Sequence, residues 1–430
     1  MATPQVAASF DVDALRARFP ALTRTGPDGR PFVWADAPGG SQAPDTVIAA
    51  VAERMRHGAS NTHGAFPASV EIGALIADAH HAGADLLGCD PDEVVFGQNA
   101  TSLLLHLSRS FARTIRPGDE VMVTRLDHDA NVRPWVLAAR DAGATVRWVD
   151  VRDDDVTIDE ASFEARLSDR TRLVAFTLAS NAVGSIPPAL GLIRRAKDVG
   201  ALVALDGVHA AQHRAIDLHG LGADVVATSP YKFFGPHQGM LGVRRELLET
   251  WEPYKLRPVD DVNPDRWETG TQSHEAMAGT IAAIDYIADA AGRHASRREG
   301  IEAAFAAFGA HERALTSHFL NGLAHLRDVR VIGIADPTRV DERTPTFAVR
   351  VAAQPPAQTS AALAERGIFT WDGHYYAIEV FDRLGLLPSG GAVRIGFCHY
   401  HTVAEVDRVL EALADVSRRA VASPGDAPVR

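Results

Sequence analysis

Between about residues 90 and 245, short apolar runs rich in β-branched residues alternate with longer stretches whose apolar positions recur at helical spacing. The runs 94–97, 120–124, 145–150, 172–178, 201–206, 223–228 and 240–244 read as strands. Segments 102–113, 131–142 and 190–199 read as the helices between them. In the first of these, Leu103, Leu104, Leu107 and Phe111 form one apolar face. This alternation predicts an α/β fold, with a mostly parallel seven-stranded sheet covered by helices on both faces. Upstream, the run from Phe10 to Leu15 reads as a short capped helix that stops at Pro20. Downstream, the Ala-rich stretch 275–291 reads as a long connecting helix, 329–334 and 346–351 as strands, and 403–417 as a terminal helix. The pattern predicts a large domain over 26–290 and a small α+β domain from 1–25 and 291–420. A disordered tail is expected at 421–430, where Pro424, Gly425 and Pro428 interrupt any element.

Composition narrows the function classes. At 430 residues, with 46% apolar and 23% charged residues, the chain has the make-up of an ordinary globular protein. A net charge of -12 argues against nucleic acid as a main partner, because phosphate backbones select basic surfaces. Cys89 and Cys398 are too few for a disulfide framework and lack the paired spacing of a zinc site. No apolar stretch reaches membrane-spanning length, and Asp11, Asp13, Arg16 and Arg18 interrupt any signal-peptide core. The expectation is a cytoplasmic protein without membrane contact.

Two chemical markers follow strand candidates. Asp206 ends the run 202–205, and Lys232 comes soon after 225–227, in Ser229-Pro230-Tyr231-Lys232-Phe233. Ligands of open parallel sheets gather beyond the carboxyl ends of strands. A Lys and an Asp placed there together can serve pyridoxal phosphate. The amine forms a Schiff base, and the carboxylate keeps the pyridine nitrogen protonated. Taken singly, each residue reads as a surface Lys or a turn-forming Asp. The segment from Gly97 to Thr101 precedes a helix, whose free N–H groups and Thr101 hydroxyl suit a phosphate dianion; N-capping by Thr101 is the plainer use of the same residue. His209 and His213 stand four apart on an expected helix, as in a metal pair, but no third ligand accompanies them and no metal site is expected.

The company of these markers is more specific. In order along the chain stand Asp36, Gln42-Ala43-Pro44, Asn61-Thr62-His63, Asn99-Ala100-Thr101, Asp127-His128-Asp129-Ala130-Asn131, Ser180-Asn181, Asp206, Lys232, Glu268-Thr269-Gly270-Thr271 and Arg394. From about residue 32 to 410 the chain resembles the cysteine desulfurase branch of the class V aminotransferases, which are fold-type I pyridoxal phosphate enzymes. The resemblance implies roles residue by residue. Ala100, Thr101 and Ser229 would hold the phosphate, with Tyr231 where the family commonly has His. Thr271, from a neighbouring subunit, would complete that site, which implies a homodimer with shared active sites. His128 would stack on the cofactor and move protons. Asn181 and His209 would contact its phenolic oxygen. Arg394 would clamp the α-carboxylate of a small amino acid, a task suited to a bidentate fork, and His63 would also serve the substrate.

The pattern breaks at one loop. Cysteine desulfurases carry a sulfur-accepting Cys ahead of the Arg, whereas Tyr376 occupies that position here and Trp371 replaces a second substrate-binding Arg. Cys398 lies in an apolar run and reads as a buried structural thiol. The sequence therefore predicts C–S cleavage by β-elimination without a protein persulfide. Lys232 would be the Cα base, with Tyr375, Tyr376 or His374 available as further acids or bases. Aminotransfer, epimerisation and kynureninase-like C–C hydrolysis are the alternatives within enzymes. A non-catalytic protein that keeps the fold for binding is the alternative of another class.

Overall fold

The computed structural model describes residues 10–422. Its larger sheet contains β1 (Val94–Gly97), β2 (Glu120–Thr124), β3 (Thr145–Val149), β4 (Thr171–Thr177), β5 (Leu202–Asp206), β6 (Val225–Thr228) and β7 (Gly239–Val243). They are ordered β1-β7-β6-β5-β4-β2-β3. The five strands from β3 to β6 run parallel, and β7 is antiparallel to both of its neighbours. Central strands are buried on both faces, which is why each reads as a nearly unbroken apolar run. Along β4, Val174 and Phe176 enter one core while Leu173 and Ala175 enter the other. Phe111, Trp135, Trp251 and Trp267 fill the second core, and Phe233, Phe234, Tyr286 and Phe308 the first.

A smaller antiparallel sheet has the order β10-β11-β9-β8, formed by β8 (Val329–Ile332), β9 (Thr346–Val351), β10 (Trp371–Gly373) and β11 (Ala392–Gly396). Phe319, Phe347, Val349, Ile395, Val406 and Leu413 pack beneath it. Bridges from Val33 to Ile368 and from Asp36 to Gly396 bring the segment before the first long helix against this sheet. Asp36 thereby sits beside the end of β11.

Three expectations change. The terminal helix runs Val403–Ala422, so residues 421 and 422 are helical rather than tail. Arg419 in its last turn suits the helix dipole, and no breaker precedes Pro424; residues 423–430 lie outside the described residues. Thr101 is not the cap of helix Ala100–Phe111. Asn99 is, its side chain accepting the Ser102 N–H at 2.8 Å. His209 and His213 flank a 3-10 turn, Ala210–Gln212, instead of sharing an α-helix. Among the described residues no helix is long and apolar enough to cross a membrane.

Gly239 opens β7 where the strand passes the start of helix Ala100–Phe111. A Cβ there would lie 2.3 Å from the Asn99 carbonyl carbon and 2.6 Å from the Ala100 nitrogen. Backbone cannot yield as a side chain does, so Gly239→Ala should destabilise the protein by about 1–3 kcal/mol, read as a lower denaturant midpoint with unchanged slope.

Candidate active site

The carboxyl ends of β4, β5 and β6 open into a cavity of about 470 Å³. Thr177 and Asp206 are the last residues of their strands, so both side chains reach the cavity floor. Lys232 arrives by a different device. After β6, Ser229 is extended and Pro230–Lys232 makes a single 3-10 turn. Phe233 and Phe234 are then wholly buried, Phe234 with a left-handed φ of 73°. Anchoring two phenyl rings in the core leaves the Lys232 amine in the cavity. There it donates to the Pro38 carbonyl and lies 4.7 Å from the centre of the Tyr231 ring.

Burial governs the charges. It pulls the Lys232 amine down to about 7; Arg394 adds to the effect, and Asp36 and Asp206 oppose it. Burial likewise pushes Asp206 up to about 6, against the Val208 N–H that donates to its Oδ1 at 2.8 Å and the attraction of Lys232. His128 is pulled down to about 4 by burial, then by Lys232 and Arg394. Its Nδ1 accepts the Ala130 N–H at 3.0 Å, so the neutral ring carries its proton on Nε2. Beneath that loop Asp127, pushed up to about 8 by burial, binds the Asn131 amide at 2.7 Å and the Thr124 hydroxyl. His209 is held neutral by burial. Its Nε2 lies 3.1 Å from the hydroxyls of both Thr344 and Thr346, and its Nδ1 has no partner among the described residues.

The opposite wall belongs to the small sheet. Arg394 on β11 donates from Nη2 to Asp36 at 3.0 Å and from Nη1 to the Asn181 carbonyl at 3.2 Å. Its guanidinium lies 4.7 Å over the Tyr375 ring, and its Nε has no partner among the described residues. Burial raises the Asp36 carboxyl in spite of Arg394 and Lys232. The Asn181 amide donates to the Tyr375 carbonyl at 2.9 Å.

One cavity therefore unites Lys232, Asp206, His128, Asn181 and His209 with Ala100, Thr101, Ser229 and Tyr231, and with Arg394, Trp371 and Tyr376. His63 and Thr271 do not join them. Both line a separate cavity of about 870 Å³ together with His80 and Glu268. His63 sits between helices Asp45–Arg56 and Pro67–Leu87 with a φ of 67°, so within one chain it does not reach Arg394. The Pro38 carbonyl, Thr344 and Thr346 are contacts that sequence reasoning missed, and Asp36 stood there only as one of the ordered markers, without its pairing to Arg394. Neither cysteine lines the cavity; Cys398 is wholly buried, which pushes its thiol well up.

The family model for aminotransferase class V matches residues 33–409. The chain belongs to that family. A probable cysteine desulfurase of Mycobacterium leprae is 33% identical, the match covering 93% of this chain and 95% of the relative. One from Streptomyces coelicolor is 31% identical over 96% and 98% of the two chains. The fold matches an apo cysteine desulfurase of Thermococcus onnurineus with a TM-score of 0.84 at 24% identity, covering 97% of this chain and 100% of that one. A cysteine desulfurase of Escherichia coli follows with a TM-score of 0.80 at 25% identity, covering 96% and 99%. The class V protein described here is thus a cysteine desulfurase-like, pyridoxal phosphate-dependent enzyme.

The residues present fit that cofactor. A partly neutral amine and a buried carboxyl share the cavity, the Ala100 and Thr101 N–H groups open a helix, and His209 Nδ1 has no partner among the described residues. Because only the neutral amine attacks an aldehyde, covalent capture of pyridoxal phosphate by the apoprotein should accelerate as pH rises and level off above about 7. A rate still climbing toward 10.5, the ordinary lysine value, would contradict the depressed Lys232.

Proposed function

We propose that this protein is a homodimeric, cytoplasmic enzyme that breaks the carbon–sulfur bond of a small amino acid or cysteine conjugate by β-elimination, without storing sulfur on a cysteine. The observation that carries the reading is the phenol of Tyr376 at the cavity mouth, with both thiols elsewhere. A phenol cannot accept sulfur as a persulfide. Free cysteines suit a reducing compartment.

Pyridoxal phosphate, when bound, supplies an electron sink that loosens the Cα proton and the bond to a leaving group on Cβ. Lys232 holds the cofactor and then takes the Cα proton, a task matched to an amine poised near neutral pH. Asp206 keeps the ring nitrogen protonated from the cavity floor. Ala100, Thr101, Ser229 and Tyr231 would hold the phosphate, and Asn181 and His209 would donate to the phenolic oxygen. His128, neutral, would present its ring to the cofactor. Arg394 turns its fork from Asp36 to the substrate carboxylate, while Trp371 and Tyr376 border the substrate. The sulfur leaves with a proton from the Tyr376 hydroxyl or water, and hydrolysis yields a thiol, pyruvate and ammonia.

Two features support the dimer. Thr271 and His63 share a cavity separate from Lys232, as residues offered to a second copy would. The helices flanking His63 expose Ile48, Met55 and Val70, and Phe66 precedes the second of them, an apolar surface that calls for a cover.

Wild-type holoenzyme should retain its cofactor through denaturation after borohydride treatment, and Lys232→Ala should not; retention by the variant would exclude Lys232 as the attachment point. S-substituted cysteines should release pyruvate, with Lys232→Ala slower by about 10²-fold or more. Transfer of the amino group to a keto acid without pyruvate would favour transamination instead. Cys398→Ser should keep turnover near wild type, since a buried thiol takes no part; complete loss would restore a sulfur-carrying mechanism.

A further inference from the structure

The cavity mouth holds two large rings that the core does not use. Trp371 is 60% exposed and Tyr376 67% exposed, whereas the chain's other tryptophans are buried or half-buried. Both rings are nevertheless fixed in place. Trp371 stands directly opposite Arg394 in the β10–β11 register, so the two side chains leave the sheet on the same face. Its indole lies beside Asp36, the carboxylate paired with Arg394, and helps to favour that carboxyl's charged form. Tyr376 stacks on His128, with ring centres 5.3 Å apart and planes at 23°. Its carbonyl accepts the Asp129 N–H at 2.8 Å. Tyr375 and Tyr376 have φ values of 50° and 60°, a left-handed backbone that non-glycine residues adopt only when surrounding contacts impose it.

Charge narrows what this mouth can accept. Of the cavity's two cations, Lys232 is committed to the cofactor and Arg394 to the α-carboxylate; the histidines His128 and His209 are neutral, and the third, His374, accepts the Tyr376 N–H on Nδ1 at 3.2 Å. Within one chain the other charged groups at this mouth, Asp372 on the lining and Asp36 beside Arg394, are acids, so a second anionic group on the substrate meets repulsion there. A side chain as short as that of free cysteine would leave both rings in water.

We infer that the outer half of the cavity binds a flat aromatic group carried beyond Cβ of the amino-acid substrate, gripped between Trp371 and Tyr376. Aromatic conjugates of cysteine, S-benzyl or S-aryl, are therefore the fitting class, ahead of free cysteine or dicarboxylic amino acids. The inference rests on the proposed role of Arg394 as the carboxylate anchor, and the offset or edge-on ring packing it invokes adds affinity beyond area alone.

Binding of alanine and of phenylalanine to the holoenzyme, by calorimetry or by the change in cofactor absorbance, tests it without any sulfur chemistry. Phenylalanine should bind about tenfold tighter than alanine. Trp371→Ala and Tyr376→Ala should each bring the two affinities to within about threefold of each other with dimer mass unchanged, and Trp371→Phe should keep the preference. Equal affinities in the wild type, a preference that survives both alanine variants, or equal weakening of both ligands with loss of the dimer would overturn the inference. Arg394→Met separates the two levels. If it leaves both ligands bound as before, the carboxylate anchor itself is wrong. If aromatic selectivity holds but no S-substituted cysteine yields pyruvate, the elimination reading fails and the aromatic site stands.

Discussion

A lysine amine shut inside a cavity, with no carboxylate in direct contact among the described residues, is the constraint around which this molecule is arranged. Desolvation favours its neutral form, and the more distant acids Asp36 and Asp206 recover only part of what burial takes away. The same dry setting raises Asp206, so the two groups approach neutrality from opposite sides. Keeping the amine there takes a parallel sheet to bring the strand ends together, a turn locked by Phe233 and Phe234, and a lone carbonyl from Pro38 to accept its hydrogen bond.

The small sheet contributes the second half of the chemistry, and it does so through one ion pair. Arg394 is nearly buried, and such a cation is tolerated only when its donors are engaged. Asp36 and the Asn181 carbonyl each accept one of its N–H groups, and the face of Tyr375 covers the guanidinium plane. Asp36 belongs to a segment that bridges to the end of β11, so the pairing also fixes the N-terminal segment against the small sheet. Binding residues and fold-closing contacts are here the same residues.

Much of this was legible in the sequence, for physical reasons that differ by element. Strands β1, β2 and β9 fall where the apolar runs lie, and the other strands of the larger sheet shift by only one or two residues; most are doubly buried, which leaves no exposed polar position to blur their ends, while β3 at the sheet edge is only partly buried. Lys232, Asp206 and His128 were legible because each follows or ends such a run, whereas Arg394, in the middle of β11, was legible only through the family resemblance. Helices Asp45–Arg56 and Pro67–Leu87 were not assigned. Exposed Ile48, Met55 and Val70 spoil the amphipathic pattern that would have marked them. The partners of Arg394 and Lys232 were out of reach for another reason. Asp36 meets Arg394 across more than three hundred residues, and Thr344 and Thr346 come to His209 only through tertiary packing, which local periodicity does not encode. Asn99 outcompeted Thr101 as a cap because its side chain, one step outside the helix, reaches the Ser102 amide.

The pairing of Trp371 with Arg394 carries an evolutionary corollary. Side chains alternate across a strand, so the length of the connection between β10 and β11 acts as a reading frame for the pocket wall. Sliding that frame by a single position would turn the indole away and present the Asp372 carboxylate to the guanidinium in its place. Descendants of this chain could thus exchange one ligand preference for another by indels in that connection, which also carries Tyr375 and Tyr376 into the cavity.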